Sequence, residues 1–259
     1  LIISEIEIEL IIAKFKVDES LLHRVPFMVD PITEKDIQLW PIFEERQHFI
    51  TIGNFLHEPN WDSIKYLKTS IWPLIRKGLP EVEMHVYGSY STEKNHQLND
   101  PKNGFLIKGF AGNSSDVLAN ARVCLAPVRY GAGLKGKLLE AMQCGTPNVT
   151  TSIGAESMNG VLPWSGYFED DPILLAKAAI DLYSKKDVWA DAQSNGVQIV
   201  NSRFSKVGHE KELIERTNNL VSNLETHRKA NFIGSMLQYH LLRSTEFMSR
   251  WIEAKNANK

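Results

Sequence analysis

The sequence predicts an α/β protein in which a doubly wound parallel sheet, covered by helices on both faces, is followed by a helical C-terminal extension. Three observations carry this expectation. Short β-rich runs alternate with segments of helical period between residues 49 and 151, and strands separated by helices pair in parallel because each helix returns the chain to the same end of the sheet. The chain is 259 residues long and 43% hydrophobic, enough for a substantial core. From about Asp171 onward almost every segment reads as helix.

Taken in order, residues 49–53 (FITIG) and 82–88 (VEMHVYG) are β-rich runs ending at glycine. A helical pattern from about Asp62 to Lys77 lies between them, which makes a βαβ unit. Further strands are expected at 105–107, 123–126 and 148–151, with helices at about 114–121 and 135–144. Gly145 suits the left-handed residue that closes a helix, and Pro147 cannot continue one. The later helices break near 201–205.

Composition excludes several classes. Lys and Arg number 29 against 31 Asp and Glu, and a net charge of -2 offers no general polyanion surface, so no nucleic-acid partner is expected. Cys124 and Cys144 stand among apolar residues, which fits buried, reduced thiols and a cytoplasmic location. The segment "LIISEIEIELIIAKF" is broken by glutamates, and the chain offers no apolar run of the roughly 18 to 20 residues that a spanning helix needs. The eight histidines have no zinc-ligand spacing with the cysteines, and no metal is expected. His85 reads as a structural residue of its strand, and Trp61, Trp72, Trp164 and Trp189 as fillers between helices and sheet. In "FEDDP" (168–172), an aspartate capping a helix that starts at Pro172 is favoured over a metal ligand.

The stretch "APVRYGAGLKGKLLEAMQCGTPNVTTSIGAE", Ala126 to Glu156, begins at the carboxyl end of a parallel strand and runs into a helix. Open α/β sheets bind ligands at that edge. Gly131 and Gly133 let the backbone approach a ligand and aim N–H groups at it, while the helix dipole favours negative charge. Lys135 and Lys137 add positive charge suited to a diphosphate. Glu140 follows Lys137 by three positions, on the same helix face, and a carboxylate accepts two hydrogen bonds from a vicinal diol. A diphosphate and a ribose diol together make a nucleoside diphosphate. A tight turn followed by an ordinary surface Lys–Glu pair would use the same residues, and spacing alone leaves both readings open. A nicotinamide cofactor fits poorly, because no full GxGxxG follows the first strand.

The same stretch closely resembles the donor-site segment of retaining "group 1" glycosyltransferases of the GT-B fold, which set two Rossmann-like domains face to face. "IGNFLHEPNWDSIKYL", "WPLIRKGLPEVEMHVYG" and "GFLIKGF" resemble successive pieces of that family's donor-side domain, in its order. "SEIEIELIIAKFKVDESLLHRVPFMVD" resembles the last acceptor-side helix and the linker. The resemblance covers roughly residues 4–200 and implies three parts: residues 1–30, a remnant of the acceptor-side domain and linker; residues 31–200, a Rossmann-like nucleotide-sugar-binding domain; and residues 201–259, C-terminal helices. It implies that Arg129, Gly131, Gly133, Lys135 and Lys137 hold the donor diphosphate and that Glu140 holds the ribose, with Gly53, Asn54 and His57 in reach of the donor. It implies no cofactor beyond the nucleoside diphosphate sugar, which is the donor substrate. The sequence departs from the family pattern at Ala132, where members carry a glutamate that touches the donor sugar, and at Asn54 and Pro59, where many carry Arg and Lys.

The expected function is therefore sugar transfer from a nucleoside diphosphate sugar to a glycan or lipid-linked acceptor, in surface glycan or polysaccharide synthesis, at the inner face of the membrane. The chain would be mainly the donor-binding half and inactive alone. A non-catalytic nucleotide-sugar-binding module with a partner-binding tail, and a sugar-nucleotide 2-epimerase, are the alternatives. In the tail, Phe232, Ile233, Met236, Leu237, Leu241, Phe247, Met248, Trp251 and Ile252 recur with near-helical period. This stripe is expected to pack on the same chain, with a dimer through the C-terminal helix or peripheral membrane association as its other destinations.

Overall fold

The computed structural model describes residues 1–257, without the side chains of 238–242 and 257. Helices α1 (Glu5–Phe15) and α2 (Glu34–Leu39) precede strand β1 (Gln47–Ile52). Helix α3 (Glu58–Tyr66) runs through a π-turn at Leu67–Ile71 into α4 (Trp72–Gly78), followed by β2 (Met84–Tyr87), α5 (Glu93–His96), β3 (Phe105–Gly109) and α6 (Ser114–Asn120). The second half begins with β4 (Ala121–Ala126), α7 (Gly136–Gln143), β5 (Asn148–Thr150), α8 (Ser152–Ala155) and β6 (Gly166–Phe168). Then come α9 (Pro172–Ser184), α10 (Lys186–Ile199), a π-turn at Val200–Phe204, α11 (Lys206–Ser222), α12 (Leu224–Ala230) and α13 (Phe232–Ala257).

The strands form one sheet in the order β3-β2-β1-β4-β5-β6, and every neighbouring pair is parallel. The chain winds outward from β1 to β3, then restarts beside β1 with β4 and winds the other way. This is the doubly wound sheet the sequence predicts. Strand side chains alternate between faces, so Phe49, Val123 and Leu125 enter one core with Trp72, Phe105 and Leu175. Ile50, Cys124 and Ala126 enter the other with Leu138, Met142 and Phe204. Each such large apolar side chain stabilises the fold by about 1.5–3 kcal/mol.

Several local expectations are met. Asp171 accepts from the backbone N–H of Ile173 (2.9 Å) and Leu174 (3.0 Å) and so caps α9. Cys124 and Cys144 are buried free thiols, pushed by burial up to about 12 and about 11. Trp61, Trp72, Trp164 and Trp189 are buried. The helix expected from Asp62 starts at Glu58, because Pro59 needs no N–H partner in a first turn. Strand β6 was not foreseen: three residues beginning at Gly166, which adopts φ +126, carry no alternation to read.

Residues 29–32 lie against the π-turn at Val200–Phe204. The Val29 N–H donates to the Phe204 carbonyl at 2.8 Å and the Lys206 N–H to the Val29 carbonyl at 2.8 Å. The Asn201 amide meets both the N–H (2.7 Å) and the carbonyl (2.9 Å) of Ile32. The tail corrects an expectation. Its stripe does not pack on the chain: Phe232, Ile233, Met236, Leu237, Phe247, Met248, Trp251 and Ile252 are exposed, and the Leu241 side chain lies outside the described residues. Among the described residues no helix is long and apolar enough to cross a membrane.

Two predictions follow from packing and burial. Gly145 closes α7 at φ +64, and a Cβ there would lie 2.3 Å from Trp40 Cε3. Gly145→Ala combines left-handed strain with overpacking, and urea denaturation should show a loss of roughly 2–4 kcal/mol. At the amino end of the sheet the rings of His48 and His85 stack with centroids 3.8 Å apart, and His85 Nε2 lies 2.7 Å from the Glu83 carboxylate. Burial, then the neighbouring His85, push His48 from 6.5 down to about 4, with Lys108 adding to the shift and Glu83 opposing it. The unfolded chain thus protonates first, so stability from this group is present above pH 6.5 and is lost as pH falls toward 4. The loss should be on the order of 3 kcal/mol, and His48→Asn should flatten that part of the stability–pH profile.

Candidate functional site

The switch between the two winding directions falls between β1 and β4, and ligands of open α/β sheets bind outside the carboxyl ends of strands at such a point. A cavity of about 420 Å³ opens there. Ile52, Gly53, His57, Pro59 and Asn60 line it from the β1 side, and Val128, Tyr130, Gly131, Ala132 and the Leu134–Lys137 segment with Glu140 from the β4 side. A second cavity of about 400 Å³ adjoins it, sharing Ile52 and Gly53 and extending over Asn54, Gly88, Ser89, Phe110, Gly112 and Ser114.

The loop from Gly131 to Gly133 is shaped by glycine conformations that other residues avoid, φ +132 and +70. Lys135, buried just before α7, folds back beneath it. Its Nζ donates to the carbonyls of Gly133 (2.6 Å), Gly131 (2.9 Å) and Ala132 (3.4 Å). Three carbonyls of the loop thus converge on one ammonium. Burial lowers the Lys135 ammonium below the usual lysine range, while the carboxylates of Glu156 and Glu7 oppose the shift.

At the second position of α7, half-buried Lys137 reaches across the cavity. Its Nζ donates to Asn60 Oδ1 at 2.5 Å, and a Cβ built on Gly53 would come 3.1 Å from that Nζ. Gly53 therefore leaves room for the ammonium. Burial first, then the Lys135 charge, push Lys137 down to about 8. Asn60 Nδ2 donates to the Asn54 carbonyl at 3.0 Å, so one side chain fixes both the β1 loop and the cation. Glu140 lines the same cavity and accepts from the Ser114 hydroxyl at the start of α6.

The structure thus brings Gly53, His57, Gly131, Lys135, Lys137 and Glu140 to one cavity, and puts Asn54 in the adjoining one. Two expected residues lie elsewhere. Arg129 does not line the cavity: its guanidinium grips Asp62 with two bonds of 2.9 and 2.5 Å and sits 4.6 Å from the Tyr66 ring. That carboxylate raises the Arg129 pKa, and the guanidinium holds Asp62 below the usual carboxylate range. Gly133 is not itself in the lining, although its loop neighbours Ala132 and Leu134 are, and its N–H donates to Glu7 Oε1 at 3.0 Å. Asn60, Ser114 and Glu7 are contributions that sequence reasoning missed. Each meets its partner only through folding, and none belongs to a local motif. Among the described residues no group of three or more His, Cys, Asp or Glu side chains could hold a metal.

Comparison with known proteins bears on the fold and the family. No curated protein matches the sequence. Among solved structures, Staphylococcus aureus TarM, as a mutant with fondaparinux, alpha-GlcNAc-glycerol and UDP, superposes with a TM-score of 0.67 at 16% identity, over 84% of this chain and 43% of that one. The pneumococcal O-GlcNAc transferase GtfA with UDP and GlcNAc gives 0.63 at 16% identity, over 85% and 44%. Anabaena HepE with UDP and glucose gives 0.62 at 14%, over 84% and 62%. This chain spans less than half the length of the first two, and at such identities the likeness shows the fold alone. The family model described as Glycosyl transferases group 1 matches residues 46–185, more than half of the chain and the whole sheet, and the chain belongs to that family.

Proposed function

We propose that the cavity binds the nucleoside diphosphate end of a sugar donor, and that the protein serves the transfer of that sugar to a glycan or lipid-linked acceptor. The supporting observation is the pairing on one face of α7. Lys137 and Glu140 both line the cavity, a cation and a carboxylate placed for a diphosphate and a ribose diol in turn. The Gly131 loop completes the anion end. The second cavity, with Phe110 74% exposed at its rim, offers a stacking surface for the base beyond Glu140. In transfer the bond between the sugar's anomeric carbon and the diphosphate oxygen breaks, the acceptor hydroxyl oxygen forms the new bond and releases its proton to the departing phosphate or solvent, and the diphosphate leaves with added charge. The Lys137 ammonium and the loop N–H groups would stabilise that charge once they exchange their present partners for it. The donor is consumed as a substrate, and neither a further cofactor nor a metal enters this reading. The buried free thiols favour a reducing, cytoplasmic setting, and synthesis of surface glycans at the inner membrane face would suit a lipid-linked acceptor.

The test is binding of UDP, chosen because TarM, GtfA and HepE were each solved with it. Calorimetry should show saturable binding that Glu140→Gln weakens by roughly 1–3 kcal/mol, the range for a hydrogen bond to a charged group. Unchanged affinity would make Glu140 a solvated helix residue. Lys137 attracts phosphate only as the ammonium, so affinity should fall as pH rises through about 8. Lys137→Ala should bind more weakly and lose that dependence.

Catalysis between two domains needs donor and acceptor held together, and much of the acceleration comes from that positioning. These residues supply one wall of such a cleft. The chain by itself is expected to bind UDP yet show negligible transfer from UDP sugars to any acceptor, measured by release of UDP. Robust transfer would overturn this, and conversion of a donor without acceptor would point to a sugar-nucleotide 2-epimerase.

A further inference from the structure

The donor loop is not vacant. Glu7 Oε1, from α1, accepts the Gly133 N–H at 3.0 Å, so a carboxylate oxygen occupies an amide of the very loop shaped to receive an anion. Glu7 also lies close enough to the buried Lys135 ammonium to influence it. An incoming phosphate oxygen and this carboxylate are like charges competing for one donor, and both cannot hold it.

The helix that presents Glu7 is lightly held. No residue of α1 is buried, and apart from Ile3, which packs against the core just before the helix, its attachments are polar. Ser4 Oγ meets Ser157 Oγ at 2.9 Å, the Ile6 N–H reaches Ser157 Oγ at 3.4 Å, and the Glu5 carboxylate pairs with Arg203 at 2.7 Å and Arg24 at 3.3 Å. Segments with few buried apolar contacts open at low free-energy cost. By contrast, the loop that Glu7 touches is fixed from beneath by Lys135 through three carbonyls. Of the two partners, α1 is the less firmly held.

We propose that α1 is a displaceable latch on the nucleotide site: the Glu7 carboxylate fills a phosphate position on the Gly131–Gly133 loop while the site is empty, and the donor diphosphate must drive it off. This rests on reading the cavity as a diphosphate site. The coupling is reciprocal. Donor binding frees α1, and whatever presses α1 onto the loop weakens donor binding.

The experiment measures UDP and inorganic pyrophosphate binding by calorimetry on the full chain, its Glu7→Gln and Glu7→Ala variants, and Glu9→Gln, which removes an exposed carboxylate from the same helix. Both Glu7 variants should bind both probes about five- to tenfold more tightly, the scale of one lost charged hydrogen bond at a half-exposed position. Glu9→Gln should stay within about twofold of the parent protein, since an exposed single charge is strongly screened. Hydrogen exchange of the unsubstituted chain should show α1 amides exchanging faster when UDP is added. If the parent protein binds UDP while the Glu7 variants bind it equally or less tightly, the latch is wrong and the site reading stands. If Glu9→Gln tightens binding as much as Glu7→Gln, net charge explains the effect and the latch is wrong. If neither probe binds to any of the four proteins, the reading of the cavity fails and the latch falls with it. Binding by the Glu7 variants alone would support both.

Discussion

The guanidinium of Arg46 is fully buried with no carboxylate beside it, and the position of the site depends on how that cation is satisfied. Nε donates to the Pro41 carbonyl at 2.9 Å, Nη1 to Thr146 Oγ1 at 2.8 Å and the Ala121 carbonyl at 3.4 Å, and Nη2 to the Cys144 carbonyl at 3.0 Å. The Trp189 ring lies 5.2 Å away. Burial pushes this arginine down to about 10, which measures how unfavourable the charge would be without those acceptors. The acceptors belong to the entry into β1, the first residue of β4 and the carboxyl end of α7. One side chain therefore sets α7 against the two strands that frame the cavity, and Lys137 and Glu140 are placed by the far end of the same helix.

The site itself is organised by pairing each strong polar group with a neighbour inside the protein. Lys135 holds loop carbonyls, Lys137 holds Asn60, Arg129 holds Asp62, and the Gly133 amide holds Glu7. An empty site built in this way is already ordered. A ligand exchanges partners and does not have to immobilise long side chains, which spares much of the entropy that binding otherwise costs. The two lysines accordingly differ in role despite their spacing. The Lys135 ammonium is committed to three carbonyls, whereas Lys137 has a single neutral partner that an anion could replace.

The parts legible in the sequence are those in which cause and effect lie close together along the chain. The strand from Ala121, the glycine loop and α7 form one contiguous run, so Gly131, Lys135, Lys137 and Glu140 could be read as a unit. The capping of α9 by Asp171 and the closing of α7 by Gly145 are likewise decided within a few residues. Arg129 fails on the same principle. Asp62 stands 67 positions earlier, and nothing local shows that the fold will bring the two together. Asn60 is 77 positions from Lys137 and Glu7 is 126 from Gly133, so these contacts exist only once β1, α1 and α7 are assembled. The α13 stripe is a third case. Its period was plain, but a period states that a face is apolar and says nothing of where that face will lie.

The π-turn at Val200–Phe204 gathers both flanks of the sheet onto one strip of backbone. Its residues bond Val29 and Ile32, its Arg203 holds Glu5, and just beyond it Arg216 of α11 donates to the carbonyls of Ser20 (2.8 Å) and Leu22 (2.9 Å). Segments tied by so many mutual bonds tend to open together as one cooperative unit, and here Ile3, Phe27, Val29 and Ile32 also pack against the core that holds Val200 and Phe204. The leading 32 residues and the start of α11 thus form a collar coupled to the core beneath one face of the sheet. Shortening the chain just after Phe204 would remove part of the grip on residues almost two hundred positions earlier, so the two ends are not independent sites for tags, fusions or cleavage.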